Sequence, residues 1–385
     1  MQAYLDNSAT TRAFDEVAEL VAHIMTEEYG NSSSVHHMGM MAQNRVTKAR
    51  EMIASTMKVD PSEIVFTSGG TESDNMSVLG VAKACCRRGK HIITTAIEHA
   101  AVSEACAELA KEGFDITYLP VNSLGIVDPE DLRSALREDT ILVSVMLVNN
   151  EIGSVQPVAE IGRIIKEFDN RIVFHVDAVQ GYGKILIRPR SMNIDLLSVS
   201  GHKIHGPKGV GFLYIRKGTK IVPICYGGGQ QKGMRSGTEN VPGIAGMALA
   251  AKMCYDNFEE NTARLYELKR YLAAALSDKL TDIRINGPAD EKGAPHILSL
   301  SIKGLRAETV LNMLSSKEIY VSAGSACTSN NPHVSGTLKA IGLDKDLLES
   351  TIRISMSAMT TKEELDYLVE TLTSQVETMR KFYRH

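Results

Sequence analysis

The residues best suited to chemistry lie in one run, Ser198-Val199-Ser200-Gly201-His202-Lys203-Ile204-His205-Gly206-Pro207-Lys208-Gly209. An apolar stretch, Ile194 to Val199 broken by Asp195, leads into it and reads as a buried strand ending in a polar turn. A lysine at a strand end, held by a stiff Gly/Pro turn, can form a Schiff base with a carbonyl cofactor. Neighbouring Ser and His side chains can hold a phosphate. A plain surface turn with a solvated lysine fits the same run, so the rest of the chain has to decide.

Further chemistry-bearing residues follow other apolar runs. Ser68-Gly69-Gly70-Thr71 follows Ile64-Val65-Phe66 and opens a helix whose N–H groups suit an anion, although such turns are also common as turns. Glu98-His99 follows His91 to Thr95, and an imidazole there could stack on a flat ring and move protons or be a structural histidine. Asn149-Asn150 ends the long β-branched run Ile141 to Val148. Asp177 ends Ile172 to Val176, with Gln180 just beyond. A carboxylate there could pair with a protonated pyridine nitrogen, or cap the following helix. Gln180 and Asn150 could hydrogen-bond a ring oxygen. Cys327 sits among small and polar residues, Ser322 to Pro332, which suits an exposed reactive thiol as well as an incidental one. Arg353, in Thr351-Ile352-Arg353-Ile354-Ser355, could clamp a carboxylate or make a structural ion pair.

The elements that must position these groups alternate regularly. Strands at 64–66, 91–95, 116–119, 141–148, 172–177, 194–199 and 210–215 are apolar on both faces, and helices separate most of them. Helices are expected at about 17–25, 37–57, 71–87, 100–111 and 161–168, with Thr71-x-x-Asp74 as a capping box. The pattern is that of an α/β protein with a mainly parallel sheet covered on both sides. Ligands of such a sheet bind at the carboxyl ends of its strands, where five ends carry polar cargo. After Ile221 a glycine-rich loop, Gly227 to Thr238, leads to helices at about 241–252 and 258–280, then to short strands at 283–285, 297–301, 319–321 and 352–355. We place a large domain at 13–255. Residues 1–12 with 256–385 form a smaller α+β domain that carries the Cys327 loop.

Composition narrows the class. The 385 residues, 43% hydrophobic, can bury a large core, and a net charge of −4 with interspersed signs suggests neither nucleic acid nor a membrane surface. No apolar run approaches the roughly 18–20 residues of a membrane helix. The start of the chain does not read as a signal peptide, so a cytoplasmic location is expected. The six cysteines show no Cys-x-x-Cys and no Cys/His metal spacing, so free thiols and no resident metal are expected.

Together these motifs closely resemble the cysteine desulfurases, the NifS/IscS-like branch of the pyridoxal-phosphate enzymes with the class V aminotransferase fold. The likeness runs from Tyr4-Leu5-Asp6-Asn7-Ser8-Ala9-Thr10-Thr11 through Thr67 to Asn75, Asn149 to Gly153, His175 to Gln180 and Ser200 to Lys203. It continues through Arg235-Ser236-Gly237-Thr238 to Gly324-Ser325-Ala326-Cys327-Thr328-Ser329. The resemblance implies the aspartate aminotransferase-like fold, with a seven-stranded sheet in the large domain. It implies pyridoxal 5′-phosphate carried by Lys203. His99 would stack on the ring, Asp177 pair with its nitrogen and Gln180 bond its oxygen. Asn150 would lie near ring and substrate. Gly70, Thr71, Ser200 and His202 would hold the phosphate, with Thr238 supplied by the partner subunit of a homodimer. Arg353, Asn150 and Asn31 would bind substrate.

The implied reaction converts L-cysteine to L-alanine, with the sulfur passing to Cys327 as a persulfide. A sulfur-acceptor protein serving iron–sulfur assembly or tRNA or cofactor thiolation would then receive it. Cys327 could ligate iron–sulfur only within such a transfer complex. A selenocysteine lyase, an aminotransferase or a non-catalytic cofactor-binding scaffold are the alternatives on this fold. The chain departs from the usual pattern at Ser32, where proline often follows the asparagine, and at Asn330-Asn331-Pro332-His333, which bears on the acceptor.

Overall fold

The computed structural model of the chain describes residues 1–323 and 335–383. Its strands are β1 Ala3–Tyr4, β2 Ile64–Thr67, β3 His91–Thr95, β4 Asp115–Leu119, β5 Thr140–Met146, β6 Val173–Asp177, β7 Leu196–Ser200, β8 Gly211–Ile215, β9 Ile283–Asn286, β10 Ile297–Ile302, β11 Ile319–Tyr320, β12 Ser322–Ala323 and β13 Thr351–Ser355. The helices are α1 Asp15–Thr26, α2 His37–Met57, α3 Gly70–Cys85, α4 Ala100–Lys111, α5 Pro129–Ala135, α6 Val158–Phe168, α7 Val241–Asp256, α8 Phe258–Lys279, α9 Ala307–Ser315, α10 Gly336–Ala340, α11 Lys345–Leu348 and α12 Lys362–Tyr383.

The seven-stranded sheet runs β2-β8-β7-β6-β5-β3-β4. Strands β3 to β7 pair in parallel, while β8 is antiparallel to both its neighbours. All residues of β5, Thr-Ile-Leu-Val-Ser-Val-Met, are buried, as expected of a central strand with helices on both faces. Two cores flank the sheet. One gathers Ile53, Phe66, Val145, Phe174 and Tyr182 beneath α2 and α7, and the other gathers Val78, Val81, Ile92 and Leu142 beneath α3 and α4. Helix α7 reads apolar on nearly every face because α1 and α2 both pack on it. Among the described residues no helix is long and apolar enough to cross a membrane.

A separate core joins Ala3 and Leu5 to residues of α8, β10, β13 and α12. Its sheet is antiparallel in the order β12-β13-β10-β9, and β1 pairs with β11 alongside. The N-terminal segment therefore begins in the second core and then crosses to the first. Thr11 completes that crossing: its N–H and hydroxyl both donate to the His202 carbonyl at 2.9 Å, and its Oγ1 accepts from His205 N–H at 2.8 Å.

One local expectation fails. Thr71-x-x-Asp74 is not a capping box, because α3 starts at Gly70 with Gly69 as its cap and no side-chain cap bond. Gly69 sits at φ +152°, a conformation that side chains disfavour. Glu72 takes over from the side, accepting from Ser68 N–H at 2.6 Å, while Asp74 is buried behind the helix start.

Candidate active site

The carboxyl ends of β3, β5, β6 and β7, with the turn after β2, open on one cavity of about 410 Å³. An adjoining chamber of about 420 Å³ shares Ala9, Gly70, Thr71, Ser200 and His202 with it. Lys203, His99, Asp177, Gln180, Asn150 and Arg353 all line the main cavity. Six segments far apart in the chain thus place their expected residues around one space.

Lys203 ends a short 3-10 turn, Gly201–Lys203, directly after β7. Its amine donates to the carbonyls of Ser8 and, at 2.8 Å, Ala9. Asp177 ends β6 and is almost wholly buried; its Oδ1 accepts from Val179 N–H at 2.9 Å. Burial first, and the neighbouring Asp74 second, push its carboxyl above the usual range. A cationic partner in the cavity would oppose that shift. His99 caps α4, and its Nδ1 accepts from Ala101 N–H at 3.1 Å. That bond leaves the mobile proton on Nε2.

Gln180 donates from Nε2 to Ser8 O at 2.9 Å, and its Oε1 lies 3.4 Å from His296 Nε2. An amide has two N–H groups, so one remains for a ligand oxygen. His202 approaches Thr10 Oγ1 at 3.2 Å, and burial together with Lys203, Lys208 and Lys184 brings it down to about 4, a neutral ring. Arg353 is buried in β13. Its Nη1 donates to Asn150 O at 2.9 Å and its Nη2 pairs with Asp6 Oδ1 at 2.9 Å.

Two expected residues do not line this cavity. Asn31 lies on the exposed turn between α1 and α2, where its Oδ1 accepts from Ser33 N–H at 2.9 Å. Gly30 lies so close to the backbone of Met38 that a side chain there would clash with it. Thr238 is exposed at the end of the glycine-rich loop, away from the cavity of its own chain. Cys327 lies outside the described residues; the chain enters that segment at Ser322 and Ala323, both on the cavity wall.

Other groups at the site escaped the sequence reading of roles. Asp6 pairs with Arg353 through a contact that joins opposite ends of the chain. Glu98 ties β3 to β5: its Oε1 accepts from the Thr95 hydroxyl at 2.7 Å and from Met146 N–H at 3.0 Å. Its Oε2 is buried without a partner, and burial pushes the carboxyl up to about 8. Asp74, taken as a cap, lines the cavity at 3.5 Å from His175 Nε2, and burial pushes it up to about 7. The signals available for these were the adjacency of Glu98 to His99 and the places of Asp6 and Asp74 within the 4–11 and 67–75 motifs.

The doubly covered sheet with a lysine, a buried carboxylate and a helix-start anion turn at its strand ends defines a class-V aminotransferase architecture. The Aminotransferase class-V family profile matches residues 3–368. The chain is 45% identical to the cysteine desulfurase IscS of Dictyoglomus turgidum, over 98% of this chain and 95% of that one. It superposes on a solved NifS-like protein with TM-score 0.93 at 41% identity, covering 98% of this chain and all of the other. A structure of SspA in complex with cysteine matches with TM-score 0.82 at 33% identity, over 93% of this chain and 100% of that one. The chain belongs to the cysteine desulfurases within the class-V aminotransferase family.

Members of that family depend on pyridoxal 5′-phosphate. The residues present fit the group. The cavity offers an amine at Lys203 and a buried carboxylate at Asp177, and the adjoining chamber offers the Gly69-Gly70 turn with Ser200 and His202 for a phosphate. Ser8 Oγ on the cavity wall is buried with no protein partner.

Proposed function

We propose that the chain converts L-cysteine to L-alanine and passes the sulfur to Cys327 as a persulfide. The observation that carries this reading is the convergence of Lys203, Asp177, His99 and Arg353 on one cavity whose wall leads into the Cys327 segment. Pyridoxal 5′-phosphate, held by Lys203, Asp177, Gln180 and the Gly70, Thr71, Ser200 and His202 cluster, supplies an electron sink for charge developing on the substrate carbon.

The protein's own groups do the rest. Arg353 orients the substrate carboxylate, with Asn150 beside it. Lys203 takes and returns protons at carbon. His99, with its Nδ1 fixed by Ala101 N–H, handles the thiol protons through Nε2. The Cys327 thiolate attacks the substrate sulfur, an S–S bond forms and the C–S bond breaks. The carbon keeps the bonding pair and gains a proton, so cysteine and thiol become alanine and persulfide. The solved relative bound to cysteine agrees with this substrate.

We read the chain as a homodimer in the cytoplasm, with Thr238 delivered to the partner's phosphate site. The exposed loop position of Thr238 supports this, as do the exposed Tyr29, Val35 and Tyr226. A sulfur-acceptor protein receives the persulfide. The separate core around Leu5 and Leu272 supports a division into 13–255 and 1–12 with 256–385. The test is alanine release from L-cysteine under reductant by wild type, Cys327→Ala and Lys203→Ala. Wild-type turnover alone, with the cofactor absorbance kept in Cys327→Ala and lost in Lys203→Ala, supports the reading. Full activity in either variant refutes it.

A further inference from the structure

Lys184 has no part in the site as described, yet it touches the residue at its centre. It lies in the turn after β6, seven residues beyond Asp177, and its Nζ donates to the main-chain oxygen of Lys203 at 2.9 Å. A main-chain N–H or a hydroxyl could satisfy a carbonyl without burying an ammonium, which is costly where no opposite charge compensates it. Burial brings Lys184 down to about 8.

Among the described residues, the ionisable groups around Lys184 come from three directions, and none is a carboxylate. On α7 are Cys254, whose thiol burial pushes up to about 11, and Tyr255, whose hydroxyl accepts from Gly183 N–H at 3.5 Å. On the lysine turn are Lys203, His202 and His205. Ahead of β10 is His296, fully buried. The Lys184 charge helps hold all three histidines neutral, and the Lys203 charge acts on two of the same three, His202 and His296. The two half-buried ammonium groups therefore act on the same pair of histidines. While it is protonated, below about pH 8, a neighbouring ammonium such as that of Lys184 favours the uncharged amine of a lysine, the form that acts as nucleophile and base.

We propose that Lys184 is a positioning residue for Lys203: it grips the turn through the Lys203 carbonyl and, while protonated, favours the uncharged Lys203 amine. The inference rests on Lys203 being the cofactor lysine. Its test is a pH titration of the cofactor's visible absorbance in the holoenzymes of wild type, Lys184→Arg, Lys184→Gln and Lys184→Met, with Lys203→Ala alongside. Gln keeps a donor and loses the charge, so its transition should move about tenfold in proton affinity, roughly one pH unit upward. Arg should restore the wild-type transition. Met loses charge and donor, so it should show the same shift and a further fall in kcat, with KM for L-cysteine little changed. Wild-type titration in both Gln and Met overturns the proposal, as does a shift in Arg equal to that in Gln. If Lys203→Ala keeps the visible absorbance, the reading of Lys203 itself fails.

Discussion

Replacing Arg353 with lysine should separate substrate recognition from the rest of the chemistry. The guanidinium bridges two partners, Asn150 O through Nη1 and Asp6 Oδ1 through Nη2, both at 2.9 Å, and its side chain is only 6% exposed. One ammonium cannot span both, so at least one charge-assisted hydrogen bond is lost, a cost of about 1.5–3 kcal/mol. The fork that can meet a carboxylate with two N–H groups becomes a point charge as well. A loss of about 2 kcal/mol in carboxylate binding corresponds to roughly a 30-fold rise in KM. The assay is alanine release from L-cysteine, with inhibition by cysteamine as the control. Cysteamine carries the same amine and thiol but no carboxylate, so its inhibition should change less than about twofold if uniform binding of the carboxylate alone is lost. Equal losses for both compounds would mean that Arg353 holds the cavity together and does not read the substrate. No change for either would remove it from the site.

Glu98→Gln tests a buried acid. A carboxyl raised to about 8 in the folded chain favours folding at low pH, and that contribution fades as pH rises through about 8. Thermal melts at pH 5 and pH 9 should therefore show the variant gaining on wild type at the higher pH, and a pH-independent difference would refute the shift. Glu72→Gln removes the ion pair with Arg235 at 2.7 Å and weakens support of Ser68 in the anion turn. Dialysis should then strip cofactor faster from the variant, while equal retention would mean that the pair only shapes the loop. Asp177→Asn should keep the cofactor absorbance and lower kcat by about a hundredfold or more, the scale of losing one preorganised charge contact; unchanged kcat would detach Asp177 from the ring nitrogen.

The sequence was most informative where function follows local order. Apolar runs punctuated by Ser68-Gly69-Gly70, His99, Asn150, Asp177 and Lys203 revealed a doubly covered sheet with chemistry at its strand ends. Strand period and turn chemistry are properties of a few adjacent residues. The capping-box expectation failed because the same short pattern ignores what packs behind the helix, where Asp74 meets His175 of β6. Tertiary structure alone decided that Asp6 would pair with Arg353, 347 positions away. It also decided that Glu98 would lock β5 to β3, and that Lys184 would reach the carbonyl of Lys203. Each of these is a polar side chain whose partner is set by how elements stack, and for Glu98 and Lys184 burial also shifts the ionisation. A lysine in a Gly-Lys-Ile-Leu stretch carries no mark of that environment until the fold closes around it.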